Sequence, residues 1–229
     1  MKPSDETQAV QQRYARRNAG DRYSMLRPEV WQTVQERQRV LIGMLQGRGA
    51  PSRLKLTEVG CGAGGNLLEL LRLGFVAANL TGIELLPERF ALAREALPAA
   101  STLHLGDAVQ APIATQSQDL VLQSTVFTSL LDYGFQQLLA DAMWAWLKPG
   151  GAVLWYDFTV NNPRNPDVRG VPLKRVRALF PRGRITARRV TLAPPLARAV
   201  CRLHANAYHL FNCIPWLRTH VLVLIEKPL

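Results

Sequence analysis

The spacing of apolar residues along this chain switches several times between helical and extended patterns. From Pro28 onward, Val30, Trp31, Val34, Val40, Leu41, Met44 and Leu45 recur at helical spacing among Gln, Glu and Arg. This predicts a helical lead-in over residues 1–50, closed by Gly47, Gly49 and Pro51. Arg53–Val59 reads as a first strand. Asn66–Leu73 reads as a helix closed by Gly74, and Leu80–Leu85 as a second strand. Pro87–Ala96 is a helix with proline at its start. Thr102–Leu105 and Asp119–Gln123 are further strands. Phe135–Leu147 is a helix stopped by Lys148-Pro149-Gly150-Gly151, and Ala152–Asp157 is a fifth strand. Strands alternating with helices predict a doubly wound, mostly parallel α/β sheet with helices on both faces.

The last seventy residues follow another rhythm. Asn161-Asn162-Pro163-Arg164-Asn165-Pro166 reads as a loop, Leu173–Phe180 as a short basic helix and Arg184–Leu192 as a strand. Pro194–Trp216 carries Leu196, Val200, Leu203, Ala207, Leu210, Phe211 and Ile214 at helical spacing, and His220–Glu226 closes the chain as a strand. No linker or repeat divides these elements. The expectation is one domain over 1–229, with a lead-in at 1–50, a core at 53–158 and substrate-side elements at 159–229.

With 229 residues and 48% apolar content, the chain has ample material for a packed core. No apolar run approaches the roughly 18–20 residues of a membrane span. Met1–Gln12 is polar and lacks the apolar stretch of a secretory signal. Cys61, Cys201 and Cys213 show neither metal-ligand spacing nor an even disulfide framework, so no metal is expected and a reducing cytoplasm is the natural compartment. The net charge of +11 is uneven. Residues 58–158 carry 4 Lys/Arg against 10 Asp/Glu, whereas residues 159–229 carry 13 against 2. The basic flanks fit an anionic partner, or a solvated surface rich in arginine.

The candidate chemistry gathers around Glu58-Val59-Gly60-Cys61-Gly62-Ala63-Gly64-Gly65-Asn66. A strand ends at an acidic residue, passes a glycine turn and opens into a helix. Such a turn lets a ligand approach the backbone without meeting a Cβ. Cys61, between glycines, reads as a small residue that fits rather than a nucleophile. Glu84 ends the second strand, where a carboxylate can accept both ribose hydroxyls. Asp107 follows the third strand and suits an adenine amine. Gln123-Ser124-Thr125 ends the fourth, near a ligand's reactive end. The glycine spacing also fits a dinucleotide fingerprint. Against that reading stand Glu58 beside the turn, which repels a pyrophosphate, the second acidic position Asp107, and the absence of a second βαβ half.

Taken in order, Glu58–Gly64, Gly82-Ile83-Glu84-Leu85, Gly106-Asp107-Ala108, Asp119–Gln123 and Leu147–Gly151 resemble the motifs of the class I S-adenosylmethionine-dependent methyltransferases. The resemblance covers about residues 54–158. It implies a seven-stranded Rossmann-like sheet with an antiparallel last strand, to which Ile185–Thr191 and Val221–Glu226 would contribute. It implies S-adenosylmethionine as cofactor, with Gly60, Gly62 and Gly64 along the methionine moiety, Glu84 at the ribose, Asp107 and Ala108 at the adenine and Gln123 near the methyl. Glu58, Cys61, Asn66 and Leu85 complete the expected lining. Tyr14 and Tyr23, in a lead-in with Arg13, Arg16, Arg17 and Arg22, are the residues by which a lid would close on the donor.

Methyl transfer needs alignment above all, and an oxygen acceptor usually also needs a base. His209, Asp157 and Asp132 are the candidates, with Asp157 alternatively capping the following loop through Asn161 and Asn162. His104 and His220 read as packing or hydrogen-bonding groups. The expected reaction is O-methylation of a small-molecule, sugar or lipid-linked glycan acceptor, with Arg164, Arg169 and Arg175 recognising an anionic group. The alternatives are an RNA methyltransferase using the basic flanks and a non-catalytic protein that retains the pocket. No Asn/Asp-Pro-Pro-Tyr/Phe stretch follows the fourth strand, which disfavours base methylation. The helix Leu196–Ile214 would cover the acceptor site or rest on a membrane surface.

Overall fold

The computed structural model describes residues 3–16, 23–162 and 165–229. Seven strands form one sheet: β1 (Leu56–Val59), β2 (Leu80–Glu84), β3 (Thr102–Leu105), β4 (Gln118–Ser124), β5 (Leu147–Phe158), β6 (Arg184–Leu192) and β7 (Arg218–Glu226). Their order is β3-β2-β1-β4-β5-β7-β6. β1 to β5 are parallel to one another, and β7 runs antiparallel between β5 and β6. The strand order reverses between β1 and β4, so a crevice opens there beyond their carboxyl ends.

The helices are α1 (Pro3–Ala15), α2 (Pro28–Leu45), α3 (Gly65–Arg72), α4 (Pro87–Ala96), α5 (Tyr133–Trp146), α6 (Leu173–Leu179), α7 (Pro194–Leu203) and α8 (Ala207–Asn212). Two apolar layers sandwich the sheet. Val121, Val153, Trp155, Val223 and Ile225 face a layer that includes Phe135, Leu139 and Met143 of α5 and Val176 of α6. Leu120, Leu122, Leu154 and Tyr156 face the other, with Leu41 and Met44 of α2 and Leu67 and Leu70 of α3. The near-continuous buried runs of β1, β4 and β5 are what a sheet covered on both faces requires.

Three expectations need correction. The first strand starts at Leu56, not Arg53, because Pro51–Arg53 wind into a 3-10 turn. Lys148–Gly151 lies within β5 as an irregularity rather than before it: Gly150 N–H donates to Lys227 O (3.1 Å) and Lys227 N–H to Gly151 O (2.8 Å), which hold the turn against the end of β7. The helical pattern over Pro194–Trp216 is not one helix. His204 is extended (φ −163°, ψ 133°), and its Nδ1 accepts the Asn206 N–H at 3.1 Å. The apolar period survives because α7, α8 and a 3-10 turn at Pro215–Leu217 pack on the same small core of Leu192, Val200, Cys201 and Tyr208.

Candidate active site

The glycine turn lies at the carboxyl end of β1, where its backbone amides meet β2. Gly60 and Cys61 N–H both donate to Ile83 O, at 2.8 and 3.0 Å. Gly60 adopts φ +67°, and a Cβ there would stand 2.6 Å from Val126 Cγ2, so the turn closes against the segment after β4 only without a side chain. Gly62 also has positive φ (+58°) but faces open space, which leaves its backbone accessible to a ligand.

Glu84 ties this turn to the start of α4. One carboxylate oxygen accepts from Gly62 N–H (2.7 Å) and the other from Leu86 N–H (2.8 Å). Each oxygen retains a lone pair for a ribose hydroxyl. Asp107 is built similarly: Oδ1 accepts from Val109 N–H (2.9 Å), and Oδ2 accepts from the Thr7 hydroxyl of α1 (3.3 Å). Leu85 and Ala108 stand half-buried beside them.

Glu58 lies beneath the turn, with 0% exposure. Its Oε1 accepts from Asn66 Nδ2 (2.6 Å), and Arg37 in turn donates to Asn66 Oδ1 (2.9 Å). Its Oε2 has no partner among the described residues. Burial pushes the Glu58 carboxyl up to about 8, against the Asn66 bond and the Arg37 charge. The Cys61 thiol is pushed up by its burial and by Glu58, which fits a packing role and not a nucleophile. Open space at Gly62 and the remaining lone pairs on Glu84 fit a ligand with hydroxyl groups, and the unpaired Glu58 oxygen beneath them is mostly protonated at neutral pH.

Gln123 ends β4 fully buried. Its Oε1 accepts from Val126 N–H (3.1 Å), which shapes the segment facing the glycine turn. Asp157, likewise fully buried, accepts from Thr128 N–H (3.3 Å) and Phe158 N–H (3.2 Å). It does not cap the loop through Asn161 or Asn162; Asn161 Oδ1 accepts from Gly170 N–H instead. Burial pushes Asp157 up to about 7. Asp132 caps α5, accepting from Phe135 N–H at 2.6 Å. His209 lies exposed on α8, edge-on to the Tyr208 ring. The three candidate bases are therefore spread over separate elements.

The lead-in crosses the carboxyl end of the sheet. From α1, Thr7 reaches Asp107, Glu6 accepts from Leu131 N–H (2.8 Å), and Arg13 pairs with Glu6 (2.7 Å) and donates to Ser129 O (2.9 Å). The Tyr14 hydroxyl lies 3.2 Å from Ser129 Oγ, with Arg89 over its ring at 4.7 Å. Tyr23 is 73% exposed and joins none of these contacts. Arg17, Arg22 and Arg164 lie outside the described residues. Arg169 and Arg175 flank the Tyr133 ring at 5.1 and 5.0 Å and bond to Leu131 O and Tyr133 O.

Sequence reasoning missed Glu6, Ser129 and Arg37. Glu6 and Arg13 sit seven residues apart, on one face of α1, and that spacing was the available signal. His220, read as a packing or hydrogen-bonding group, stacks on Tyr156 at 5.1 Å and bonds Thr219 Oγ1 at 3.0 Å. Burial and Arg37 hold it down to about 4, so it is neutral.

Comparison with known proteins places this geometry. Residues 57–155 match the family described as a methyltransferase domain. The matched stretch, less than half of the chain, contains the glycine turn, Glu84, Asp107 and Gln123. Over 98 residues the chain is 35% identical to the trans-aconitate 2-methyltransferase of Paracidovorax citrulli; the stretch covers 43% of this chain and 36% of that enzyme, about a third of its length. Its fold is similar to that of a SAM-dependent methyltransferase from Archaeoglobus fulgidus (TM-score 0.62, 14% identity, 85% of this chain and 93% of that one). It also resembles the geranyl diphosphate C-methyltransferase of Streptomyces coelicolor (TM-score 0.59, 17% identity, 84% and 77%), solved with S-adenosyl-L-homocysteine.

Proposed function

We propose that this chain transfers a methyl group from S-adenosylmethionine to an oxygen of a small-molecule, sugar or lipid-linked glycan acceptor. The reading rests on one observation above others: Glu84 is locked by two backbone amides between the glycine turn and α4, with its remaining lone pairs free for two hydroxyls. When bound, the cofactor supplies an activated methyl on a sulfonium. The residues of this chain do the rest by positioning. Glu84 holds the ribose and Asp107 with Ala108 the adenine; Gly60, Gly62 and Gly64 admit the methionine moiety, and Glu58 with Asn66 supports the turn from below. Leu85 and Cys61 line the contact.

Residues 1–50 serve as the lid. Tyr14 is its closing residue rather than Tyr23, because Tyr14 is the tyrosine bonded to the segment after β4. The core at 53–158 and the elements at 159–229 act with it as one domain. Alignment carries the transfer. Asp157, the candidate with a raised pKa at the carboxyl edge, positions Thr128 and the segment beside the acceptor. Its complete burial and two amide donors suit that role better than proton abstraction, while Asp132 is committed to its cap and His209 to the surface. Arg169 and Arg175, stacked on Tyr133, offer an anionic acceptor group a rigid cationic rim.

The test is incubation of the purified protein with methyl-labelled donor and fractionated extract. Label in a hydroxyl-bearing small molecule or glycan supports the reading. Label in RNA transfers the acceptor assignment to nucleic acid, and donor binding without label in any fraction identifies a non-catalytic protein.

A further inference from the structure

The segment from α7 to the turn at Pro215–Leu217 is apolar on two sides. Its inward residues, Ala197, Val200, Cys201 and Tyr208, already complete a small core with Leu192. Its outward residues are apolar as well: Leu203 is 87%, Leu210 71% and Trp216 88% exposed, with Phe211 and Ile214 between them. On α8, Leu210 lies opposite the buried Tyr208 and Asn212, and Ile214 follows beyond the helix end, before the turn at Pro215–Leu217. The first half of α2 packs on the inward side of this segment: Thr33 and Glu36 meet the Tyr208 hydroxyl at 3.4 and 2.7 Å. A surface of this size on a soluble protein marks contact with something apolar.

Along the C-terminal stretch the charge is of one sign, and the nearby carboxylates of α2 are engaged, Glu29 by Arg27 at 2.9 Å and Glu36 by the Tyr208 hydroxyl. Between residues 168 and 225 the chain carries eleven Lys/Arg and no Asp or Glu. Arg188, Arg189 and Arg202 are exposed, and Arg218 reaches Arg189 O at 3.0 Å beside the patch. Two copies of such a face would bring arginine to arginine with no carboxylate between them, so self-pairing is disfavoured. Aromatic and aliphatic side chains projecting from a cationic rim match an anionic bilayer surface.

We propose that residues 203–216 dock this protein onto membranes containing anionic lipid. The patch sits at the carboxyl end of the sheet, since Leu192 pairs with Arg218 and Phe158 with His220. Docking therefore turns the site towards the lipid headgroups. The inference goes beyond the acceptor reading and stands without it.

Co-sedimentation with phosphatidylcholine vesicles, with and without phosphatidylglycerol, tests it. The expected result is binding only to the anionic vesicles, weakened by added salt, with a blue shift of tryptophan emission that the single variant Trp216→Ser diminishes. The double variant Leu210→Ser/Trp216→Ser should bind at least about tenfold more weakly and Arg202→Glu several-fold more weakly. Donor affinity by calorimetry should be unchanged in each, which separates lost docking from lost folding and from failure of the methyltransferase reading. No co-sedimentation, or equal binding by the double variant, overturns the proposal. A dimer in ultracentrifugation that Trp216→Ser dissolves also overturns it, in favour of a second copy of the chain.

Discussion

The carboxyl edge of this sheet has two halves that use charge in opposite ways. At the ends of β1, β2 and β3, Glu84 and Asp107 each accept backbone N–H groups, and small residues leave the main chain open. Around β6, β7 and α8, arginines reach backbone carbonyls, as Arg218 does with Asn212 O and Arg189 O, and large apolar side chains face outward. The first half is acidic and built for one hydroxyl-bearing ligand. The second is basic and suits an extended anionic surface. The difference teaches that this chain's net charge says little about its cofactor: the cofactor half is the acidic one.

Perturbing each half should therefore give separable effects. The largest is expected for Gly60→Ala. Its positive φ and the 2.6 Å approach of Val126 both oppose a Cβ, and strain of this kind costs about 1–3 kcal/mol before the clash is counted. Calorimetry should find donor binding weakened about a hundredfold or more, with vesicle binding retained. Glu84→Ala comes next. It strands the Gly62 and Leu86 N–H groups, at about 1–3 kcal/mol each, and removes the ribose acceptor, so both melting temperature and donor affinity should fall. If donor affinity instead survives Glu84→Ala, the assignment of the ribose site is wrong.

Asp157→Asn tests the acceptor side. The carboxyl is held near 7 in the fold against an ordinary 3.8, so the folded state binds the proton more tightly than the unfolded one. Below about pH 4 the group is neutral in both states and costs nothing. As pH rises to about 7 the penalty grows, and the wild type loses stability that the variant keeps. Denaturation across that window should show the variant gaining on the wild type by up to about 4 kcal/mol. A turnover loss below about tenfold is expected for a positioning residue, and a loss of a thousandfold would restore Asp157 as the base. The smallest effect is expected for Tyr14→Phe, which removes the hydroxyl contact with Ser129, worth about 1 kcal/mol; steady-state kinetics should show a modest rise in KM for the donor. Tyr23→Phe should change nothing measurable.

The succession of strands and helices along the chain and the glycine turn were legible because both are local. Alternating apolar runs, Pro at helix starts and glycines at one strand end need no distant partner to be read. Glu84 and Asp107 were legible as strand ends for the same reason. The break at His204 was not, because the apolar period continues through it and only the ring nitrogen's bond to Asn206 stops the helix. Nor was the sharing of roles among candidate bases. Asp132, Asp157 and His209 are equivalent as titratable residues in a string, and burial and neighbouring amides separate them.

The sequence by itself determined the parallel core, the cofactor turn and the acidic–basic asymmetry, since these follow from period, composition and spacing. Only the tertiary structure decided that α1 closes over Asp107 and Ser129, that Glu58 is sealed with one oxygen unpaired, and that the C-terminal segment turns apolar side chains both inward and out. Those depend on contacts between residues a hundred or more positions apart, as with Thr7 and Asp107, and on which face of an element finds a neighbour. Period alone marks a face as apolar; the packing of the whole chain decides whether anything covers it.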